Sequence, residues 1–360
     1  MQPRRRSPVT HLSKMSNATP TITRIGLERF AAFESLVLSP SPGLNALLGA
    51  NGTGKTHLMK VAYAACDTRN TRARFPDKLA RLFLPSNEHL GRLVKRQRGR
   101  SRATAEIAWG AEFVRTTFSD LAKSPESAAV RGKRAPNASK RHASSVYIPV
   151  KEMLANAPGF RSLYAARDIH FEEMYSDILD RAFLPPLLGS PDQSRRQLLD
   201  KLRKALEGKV WYEGEEFFLG SKQGKLEFTL LAEGLRKLGL LWLLIQNGTL
   251  TEGSVLFWDE PEANLNPKLF GPVIEILLEL QRQEVQIFIA THDYLILKQL
   301  DLQTGRDDRI SYHALYRDDD SGDLVCNTTD SYHAIDPNAI SEAFSEVYDR
   351  EIRRNLGEYR

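Results

Sequence analysis

The sequence predicts an α/β fold built on a mostly parallel β-sheet, and three observations lead to this prediction. Short apolar runs typical of strands alternate with segments of helical periodicity from Thr21 onward. A glycine-rich turn, GANGTGKT at residues 49–56, joins one apolar run directly to a helical segment. Hydrophobic residues make up 41% of the 360-residue chain, which is enough for a substantial core.

The elements of the first half follow in chain order. Residues 21–48 alternate between apolar and polar positions with Ser-Pro breaks, which predicts short strands, and a helix follows the glycine-rich turn. We then predict a short helix in FPDKLARLFL, a β-hairpin from RATAEIAW and EFVRTTFS, and a mobile loop over residues 120–143. The apolar run SSVYIPV predicts a buried strand, and a largely helical stretch follows it over about residues 151–207.

The second half continues the alternation. A hairpin in KVWYEGEEFFLG precedes a strand that turns into a long apolar helix, LLAEGLRKLGLLWLLI. The strand GSVLFWDEPEA, the helix PKLFGPVIEILLELQRQ and a strand over residues 285–300 come next. A strand-rich segment and an amphipathic helix from Ile340 to Arg354 complete the prediction.

The charge is distributed unevenly, although the net charge is only +5. Residues 1–20 predict a basic disordered tail, with either Met1 or Met15 as the true start. Residues 69–141 carry 18 lysines and arginines against 6 acidic residues, whereas residues 142–360 carry 24 against 36. The run GRLVKRQRGRSR at residues 91–102 contains six basic residues and no acidic one. This segment is typical of a surface for DNA or RNA phosphates, for an acidic partner protein, or of a merely solvated loop, and these alternatives stay open.

The cysteines and the lengths of the apolar runs indicate the cellular compartment in which we expect the protein. The two cysteines, Cys66 and Cys326, lie far apart and lack metal-ligand spacing, so we expect reduced thiols in a cytoplasmic protein. The apolar runs are much shorter than the roughly 20 residues that span a bilayer, and we expect no membrane partner.

The glycine-rich turn fits the phosphate-loop spacing G-x4-G-K-[ST] at every position. Glycines let successive backbone N–H groups converge on phosphate oxygens, and the N-terminus of the following helix adds positive charge. We expect Lys55 to reach the β- and γ-phosphates of a nucleotide and the Thr56 hydroxyl to bind Mg²⁺. The predicted nucleotide-binding residues of this loop are Gly49, Ala50, Asn51, Gly52, Thr53, Gly54, Lys55 and Thr56.

Three further stretches place polar groups where a phosphate can be bound. The buried strand VLFWDE delivers Asp259 and Glu260 to its carboxyl end, where ligands lie in open α/β sheets. We expect Asp259 to hold Mg²⁺ through water and Glu260 to act as general base on the attacking water. In IFIATHD, His292 follows another strand and can contact a γ-phosphate. Glu233 and Gly234 open a helix in LLAEGLRKL, a second phosphate-binding device.

In this order and spacing, the motifs resemble those of ABC-type ATPases. They correspond to the phosphate loop, a signature motif at Leu231–Leu235, the acidic strand, a D-loop at EANLNP, and the switch histidine. The pieces NGTGKTHL, AEGLRKLG, VLFWDEPEANLNPKL and FIATHDY resemble the soluble SMC, RecF and OLD-like branch, AAA-family ATP-binding proteins that include ATPase subunits of antiphage systems. The resemblance covers residues 21–300 and implies an ABC-ATPase head with an N-terminal antiparallel β subdomain. Residues 69–143 would be a basic insertion, about 151–207 a helical insertion, and 301–360 the C-terminal segment of the same domain.

The resemblance also implies a mechanism. Two copies of the chain would close around ATP, with Gly234 of one copy facing the γ-phosphate held by Lys55 of the other, and hydrolysis would reopen the dimer. The implied role is DNA maintenance or antiphage defence with a separate effector protein. The alternative is a low-turnover nucleotide sensor that holds and releases a toxin or nuclease partner.

The sequence departs from the family pattern at two places. Ala232 occupies the usual serine position of the signature, and Glu233 its first glycine position. After VYIPV, where a Q-loop glutamine belongs, the chain offers Lys151 and Glu152 instead. These departures leave open how metal and water are positioned and how fast hydrolysis is.

Overall fold

The computed structural model describes residues 21–69, 71, 73–133, 144–166 and 169–356. The predicted basic tail (residues 1–20) and residues 134–143 of the predicted loop lie outside the described residues. The strands are β1 Arg24–Phe30, β2 Phe33–Leu38, β3 Leu44–Leu48, β4 Arg102–Trp109, β5 Glu112–Ser119, β6 Ala129–Lys133, β7 Ser145–Ile148, β8 Gly208–Glu213, β9 Glu216–Ser221, β10 Gly224–Glu227, β11 Val255–Asp259, β12 Gln286–Ala290, β13 Ile310–Arg317 and β14 Leu324–Thr329. The helices are α1 Lys55–Thr68, α2 Phe75–Phe83, α3 Phe160–Ala166, α4 Glu173–Ala182, α5 Gln193–Leu206, α6 Glu233–Gln246, α7 Phe270–Arg282, α8 Tyr294–Gln303 and α9 Ala339–Asn355.

A six-stranded sheet in the order β14-β13-β3-β12-β11-β7 forms the centre of the molecule. Every neighbouring pair in it is parallel except β13 and β14. Strand β11 is buried on both faces: Leu256 and Trp258 join one core cluster, and Val255 and Phe257 join the other. This alternation is the period of two that a strand imposes on its side chains. The predicted α/β class with a mostly parallel sheet is confirmed.

A five-stranded antiparallel sheet, β2-β1-β4-β5-β6, lies at the N-terminal side. One core cluster joins it to α1, α2 and one face of the central sheet. The predicted hairpin is confirmed, because β4 and β5 pair antiparallel around Gly110 and Ala111. Strands β4 to β6 come from the basic segment 69–143, so much of that segment is part of the antiparallel sheet.

The opposite face of the central sheet is covered mainly by helices. Helices α3 to α5 occupy the predicted helical stretch, and a small sheet, β10-β9-β8, connects it to α6. Helix α6 is buried almost throughout, as its apolar sequence predicts, and α7 and α8 complete this layer. No helix within the described ranges is both long enough and apolar enough to cross a bilayer.

Two local predictions are wrong. The loop predicted over residues 120–143 contains strand β6, because residues 129–133 pair with β5. The strand predicted over residues 285–300 ends at Ala290, and α8 follows it. The Asp293 side chain caps this helix by accepting a hydrogen bond from the Ile296 N–H, and Ile296 and Leu300 then fall on one buried face.

Candidate functional site

The glycine-rich turn connects β3 to α1, and close packing fixes its shape. Gly54 caps α1 in the left-handed region, with φ 86°. A Cβ at Gly54 would lie 2.5 Å from the ring of Phe33, and one at Gly49 would lie 2.1 Å from the carbonyl oxygen of Leu315. The loop therefore needs glycine at both positions because of the strands behind it.

Lys55 is the first residue of α1, and its side chain folds back over the loop. Its Nζ donates hydrogen bonds to the carbonyl oxygens of Gly49 at 2.6 Å and Ala50 at 3.0 Å. Burial lowers the pKa of Lys55, while the carboxylates of Asp259 and Glu260 act in the opposite direction. A largely buried ammonium at the start of a helix is suited to binding an anion in this loop.

The next residue, Thr56, contacts the acidic strand. The Thr56 hydroxyl donates to Oδ1 of Asp259 at 3.3 Å, although the two residues are 203 positions apart. The hydroxyl of Tyr147 on β7 donates to the other oxygen, Oδ2, at 3.1 Å. Burial raises the pKa of Asp259, and these two hydrogen bonds oppose that rise. Sequence reasoning missed Tyr147, because only the pairing of β7 with β11 brings it here.

Glu260 follows β11 in a strained backbone conformation. Its φ is 47°, in the left-handed region that a glutamate seldom occupies, while its N–H still donates to the Ala290 carbonyl at 2.9 Å. The Glu260 Oε1 lies 3.4 Å from Nδ1 of His292, and both side chains are partly exposed. The structure thus brings together the two residues that the sequence predicts as base and switch.

Glu262 is a second group that sequence reasoning missed. Its Oε1 accepts hydrogen bonds from the Thr291 hydroxyl at 2.7 Å and the His292 N–H at 3.1 Å. Burial raises the pKa of this carboxyl, and the hydrogen bonds oppose the rise. These hydrogen bonds therefore connect Glu262, in the predicted D-loop turn, to the loop that follows β12 and carries His292, called here the histidine loop. The sequence could have pointed to Glu262, because it is a second carboxylate only two residues after Glu260.

The predicted signature motif lies at the N-terminus of α6. The helix begins at Glu233, and Ala232 occupies the N-cap without a side-chain hydrogen bond. Ala232 is exposed, whereas Gly234 is buried. A Cβ at Gly234 would lie 2.9 Å from the carbonyl oxygen of Asn264, so this glycine packs on the D-loop turn of its own chain.

Helix α6 has two further polar contacts with the site. The buried Lys237 Nζ donates to the carbonyl oxygen of Ala263 at 2.7 Å, and burial lowers the pKa of Lys237. Glu152, at the expected Q-loop position, forms an ion pair with Arg236 at 3.2 Å. The Glu152 carboxylate is therefore bound to the signature helix, and burial raises its pKa.

The residues present fit an Mg²⁺–nucleotide complex. Magnesium is commonly held by one or two carboxylates together with substrate phosphates and water. Thr56 and Asp259 offer a hydroxyl and a carboxylate beside the phosphate loop. Within the described ranges no cluster of three or more histidine, cysteine or acidic side chains is arranged to hold a metal ion.

The basic run at residues 91–102 begins in a short 3-10 helix, Leu90–Leu93, and ends at the first residue of β4, with a loop between them. All five of its arginines are exposed, namely Arg92, Arg96, Arg98, Arg100 and Arg102. Lys95 differs, because its Nζ forms an ion pair with Asp323 at 2.5 Å and lies 3.5 Å from Glu34. The loop is thus anchored at Lys95 and presents guanidinium groups to solvent.

The comparison with protein families decides the classification. Residues 44–298 match the family described as "AAA domain, putative AbiEii toxin, Type IV TA system". This match covers well over half of the chain, including the phosphate loop, the acidic strand and the histidine loop. The chain belongs to this AAA-domain family. The predicted resemblance to ABC-type ATPases of the SMC and RecF branch is confirmed by this match together with the relatives below.

The chain is also similar to curated RecF proteins. It is 40% identical over 60 residues to the DNA replication and repair protein RecF of Stenotrophomonas maltophilia, which covers 17% of this chain and 16% of that protein. It is 32% identical over 100 residues to RecF of Salmonella newport, which covers 28% of each. The aligned part is thus less than a third of the length of these relatives.

Among solved structures, the fold is similar to an SMC head described as bound to the C-winged helix domain of ScpA. The TM-score is 0.56 at 13% identity, and the alignment covers 88% of this chain and 99% of that chain. At this identity the likeness shows the fold alone. The predicted ABC-ATPase head fold is confirmed.

Proposed function

We propose that this chain binds ATP with Mg²⁺ and hydrolyses it within a homodimer that closes on the nucleotide. The convergence of distant residues on one edge of the central sheet carries this proposal. Thr56 contacts Asp259 across 203 residues, Glu260 lies beside His292, and the charges of Asp259 and Glu260 oppose the lowering of the Lys55 pKa by burial. Packing and stability alone would not require the predicted base, the predicted metal ligand and the phosphate loop to lie next to one another.

The chain's own groups have distinct roles in this proposal. Lys55 and the loop N–H groups bind the phosphates and stabilise charge that develops on them. Thr56 and Asp259 hold Mg²⁺, which neutralises phosphate charge when it is bound. Glu260 accepts the proton of the attacking water, and His292 contacts the γ-phosphate side of the site.

The second copy supplies the signature motif. The first N–H groups of an α-helix have no partner within the helix, so the start of α6 can bind a phosphate. Ala232 is exposed at this start, and nearby Leu230 is 71% exposed, as expected for groups that a second copy would cover. The backbone N–H groups of Glu233 and Gly234 would then face the γ-phosphate bound by the partner's loop, while the Cα of Gly234 packs on the D-loop turn of its own chain.

The proposed cellular role is DNA maintenance or antiphage defence through a separate effector protein. The RecF relatives are named for DNA replication and repair, and the family description names a toxin of a toxin–antitoxin system. The similar SMC head is bound to a domain of another protein. The arginines of residues 91–102 give a surface that suits DNA or RNA phosphates.

A second candidate is a low-turnover nucleotide sensor that holds and releases a toxin or nuclease. Glu152, at the Q-loop position, favours this candidate, because its carboxylate pairs with Arg236 rather than being free to place water or metal. The missing serine hydroxyl at Ala232 points in the same direction.

Steady-state ATP turnover with and without DNA separates the two candidates. The wild type should release phosphate, and Glu260→Gln should abolish release while retaining ATP and accumulating as a dimer in light scattering. The exposed control Glu346→Gln on α9 should behave as the wild type. Wild-type turnover that is negligible under both conditions would favour the sensor. A Glu260→Gln variant that stays monomeric with ATP would argue against the closed dimer.

A further inference from the structure

Tyr147 holds one oxygen of the carboxylate that is proposed to bind the metal. It lies on β7 opposite Phe257 of β11, and its side chain extends along the same face as α1. The residue is 1% exposed, and its hydroxyl donates to Oδ2 of Asp259 at 3.1 Å.

Asp259 is held from two sides. The Tyr147 hydroxyl donates to Oδ2, and the Thr56 hydroxyl donates to Oδ1. Asp259 is 4% exposed, and a buried carboxylate is stable only when its oxygens accept hydrogen bonds. Because the two donors occupy different oxygens, together they fix the rotation of the carboxylate, and Oδ1 is the oxygen that points towards the phosphate loop.

The ring of Tyr147 packs through aromatic contacts that do not involve its hydroxyl. It lies 6.3 Å from the ring of Phe257 at 18° and 5.5 Å from the ring of Tyr63. These contacts need an aromatic ring, not a phenol. The hydroxyl is therefore explained by its acceptor, Asp259.

Strand β7 leads to the place where a Q-loop glutamine is expected. There, Glu152 is paired with Arg236 of α6, which directs its carboxylate towards the signature helix. Tyr147 is the β7 side chain that reaches the metal side of the site.

We propose that Tyr147 is a positioning residue for the Mg²⁺ site, which orients Asp259 so that Oδ1 faces the Thr56 hydroxyl and the metal. This inference rests on the proposed ATP and Mg²⁺ binding. Tyr147 acts through Asp259, and the result is a higher affinity of the ATP-bound chain for Mg²⁺.

The test is a titration of the full chain with Mg²⁺ at a fixed concentration of a fluorescent ATP analogue. Tyr147→Phe should raise the Mg²⁺ concentration for half-maximal binding about tenfold, the effect of losing one hydrogen bond to a charged group. Binding of the analogue without Mg²⁺ should be unchanged. The double variant with Thr56→Ala should show non-additive effects, because both hydroxyls act on one carboxylate.

Tyr63→Phe is the matched control. Tyr63 is also fully buried in the same aromatic cluster, and its hydroxyl donates to a different carboxylate, Asp177, at 2.6 Å. Its removal should lower the melting temperature and leave the Mg²⁺ requirement at the wild-type value. A readout of metal affinity thus separates positioning from packing.

Two outcomes would overturn the inference, and they differ in what else they refute. If Thr56→Ala raises the Mg²⁺ requirement but Tyr147→Phe matches Tyr63→Phe, the positioning role is wrong and the proposed function stands. If the wild type binds the analogue without any dependence on Mg²⁺ and Thr56→Ala changes nothing, the proposed metal site itself is wrong.

Discussion

Replacing Gly54 by alanine tests whether the antiparallel sheet shapes the phosphate loop. Gly54 has φ 86°, so an alanine there costs about 1 kcal/mol in backbone strain. Its Cβ would also lie 2.5 Å from Cζ and 2.9 Å from Cε2 of Phe33, whose ring is fully buried. Forcing such a contact in a packed core costs about 1–3 kcal/mol. Gly54→Ala should therefore lower the free energy of unfolding by about 2–4 kcal/mol.

Gly52 is the matched control within the same loop. Its φ of 84° is nearly identical, but a Cβ there would meet no atom within 4 Å. Gly52→Ala should cost about 1 kcal/mol or less, because only the backbone term applies and alanine also restricts the unfolded chain. The difference between the two variants isolates the contact with Phe33 at about 1–3 kcal/mol.

Urea denaturation of the nucleotide-free chain measures both values. Adding Phe33→Leu to Gly54→Ala should recover part of the loss, since the smaller side chain frees the space that the new Cβ needs, and the coupling is read from a double-mutant cycle. Equal destabilisation by Gly54→Ala and Gly52→Ala would refute the reasoning, because Phe33 would then have no part in shaping the loop.

Three further predictions concern charge. Lys55→Met should weaken ATP binding in calorimetry by at least about tenfold, since it removes a charged donor from the loop; unchanged affinity would contradict the assignment. Because burial raises the pKa of Glu262 in the folded chain, its ionisation costs stability as the pH rises above the unfolded value of about 4.3. The stability of Glu262→Gln relative to the wild type, from urea melts, should therefore increase between acid and neutral pH, and a decrease would contradict the sign. If the basic run binds DNA, replacing the exposed Arg96, Arg98 and Arg100 by glutamine should reduce the salt dependence of binding. The slope of log affinity against log salt concentration, measured by fluorescence anisotropy, should fall by about 2–3. An unchanged slope would mean that DNA binds elsewhere.

The sequence predicted those elements that are determined mainly by residues adjacent in the chain. The spacing of glycines before Lys55 indicates a phosphate loop because the whole pattern lies within residues 49–56, although contacts with Phe33 and Leu315 also fix the loop's shape. The run ending in Asp259 indicates a buried strand because each of its residues is apolar before the acid. The hairpin of β4 and β5 was predictable because Gly110 and Ala111 separate two strand-like runs.

The remainder depends on partners distant in sequence. Tyr147 contacts Asp259 only because β7 pairs with β11 in one register, and a strand motif does not encode its neighbour. Strand β6 exists because β5 offers a free edge to a polar segment that resembles a loop. The run after His292 is apolar enough for either a strand or a helix, and the cap provided by Asp293 settles it.

The central claim is that each ATP site is shared between two copies of the chain. It is tested most directly by mixing two inactive variants and measuring ATP turnover. Lys55→Met disables the phosphate loop. Ala232→Glu places a negative charge at the exposed start of α6. This charge stabilises the helix through its dipole but repels a γ-phosphate.

A mixed dimer of these variants contains one intact site, formed by the loop of the Ala232→Glu copy and the signature of the Lys55→Met copy. The account predicts that the mixture hydrolyses ATP faster than the sum of the two variants measured separately. Turnover equal to that sum, at concentrations where the wild type is dimeric, would contradict a shared site.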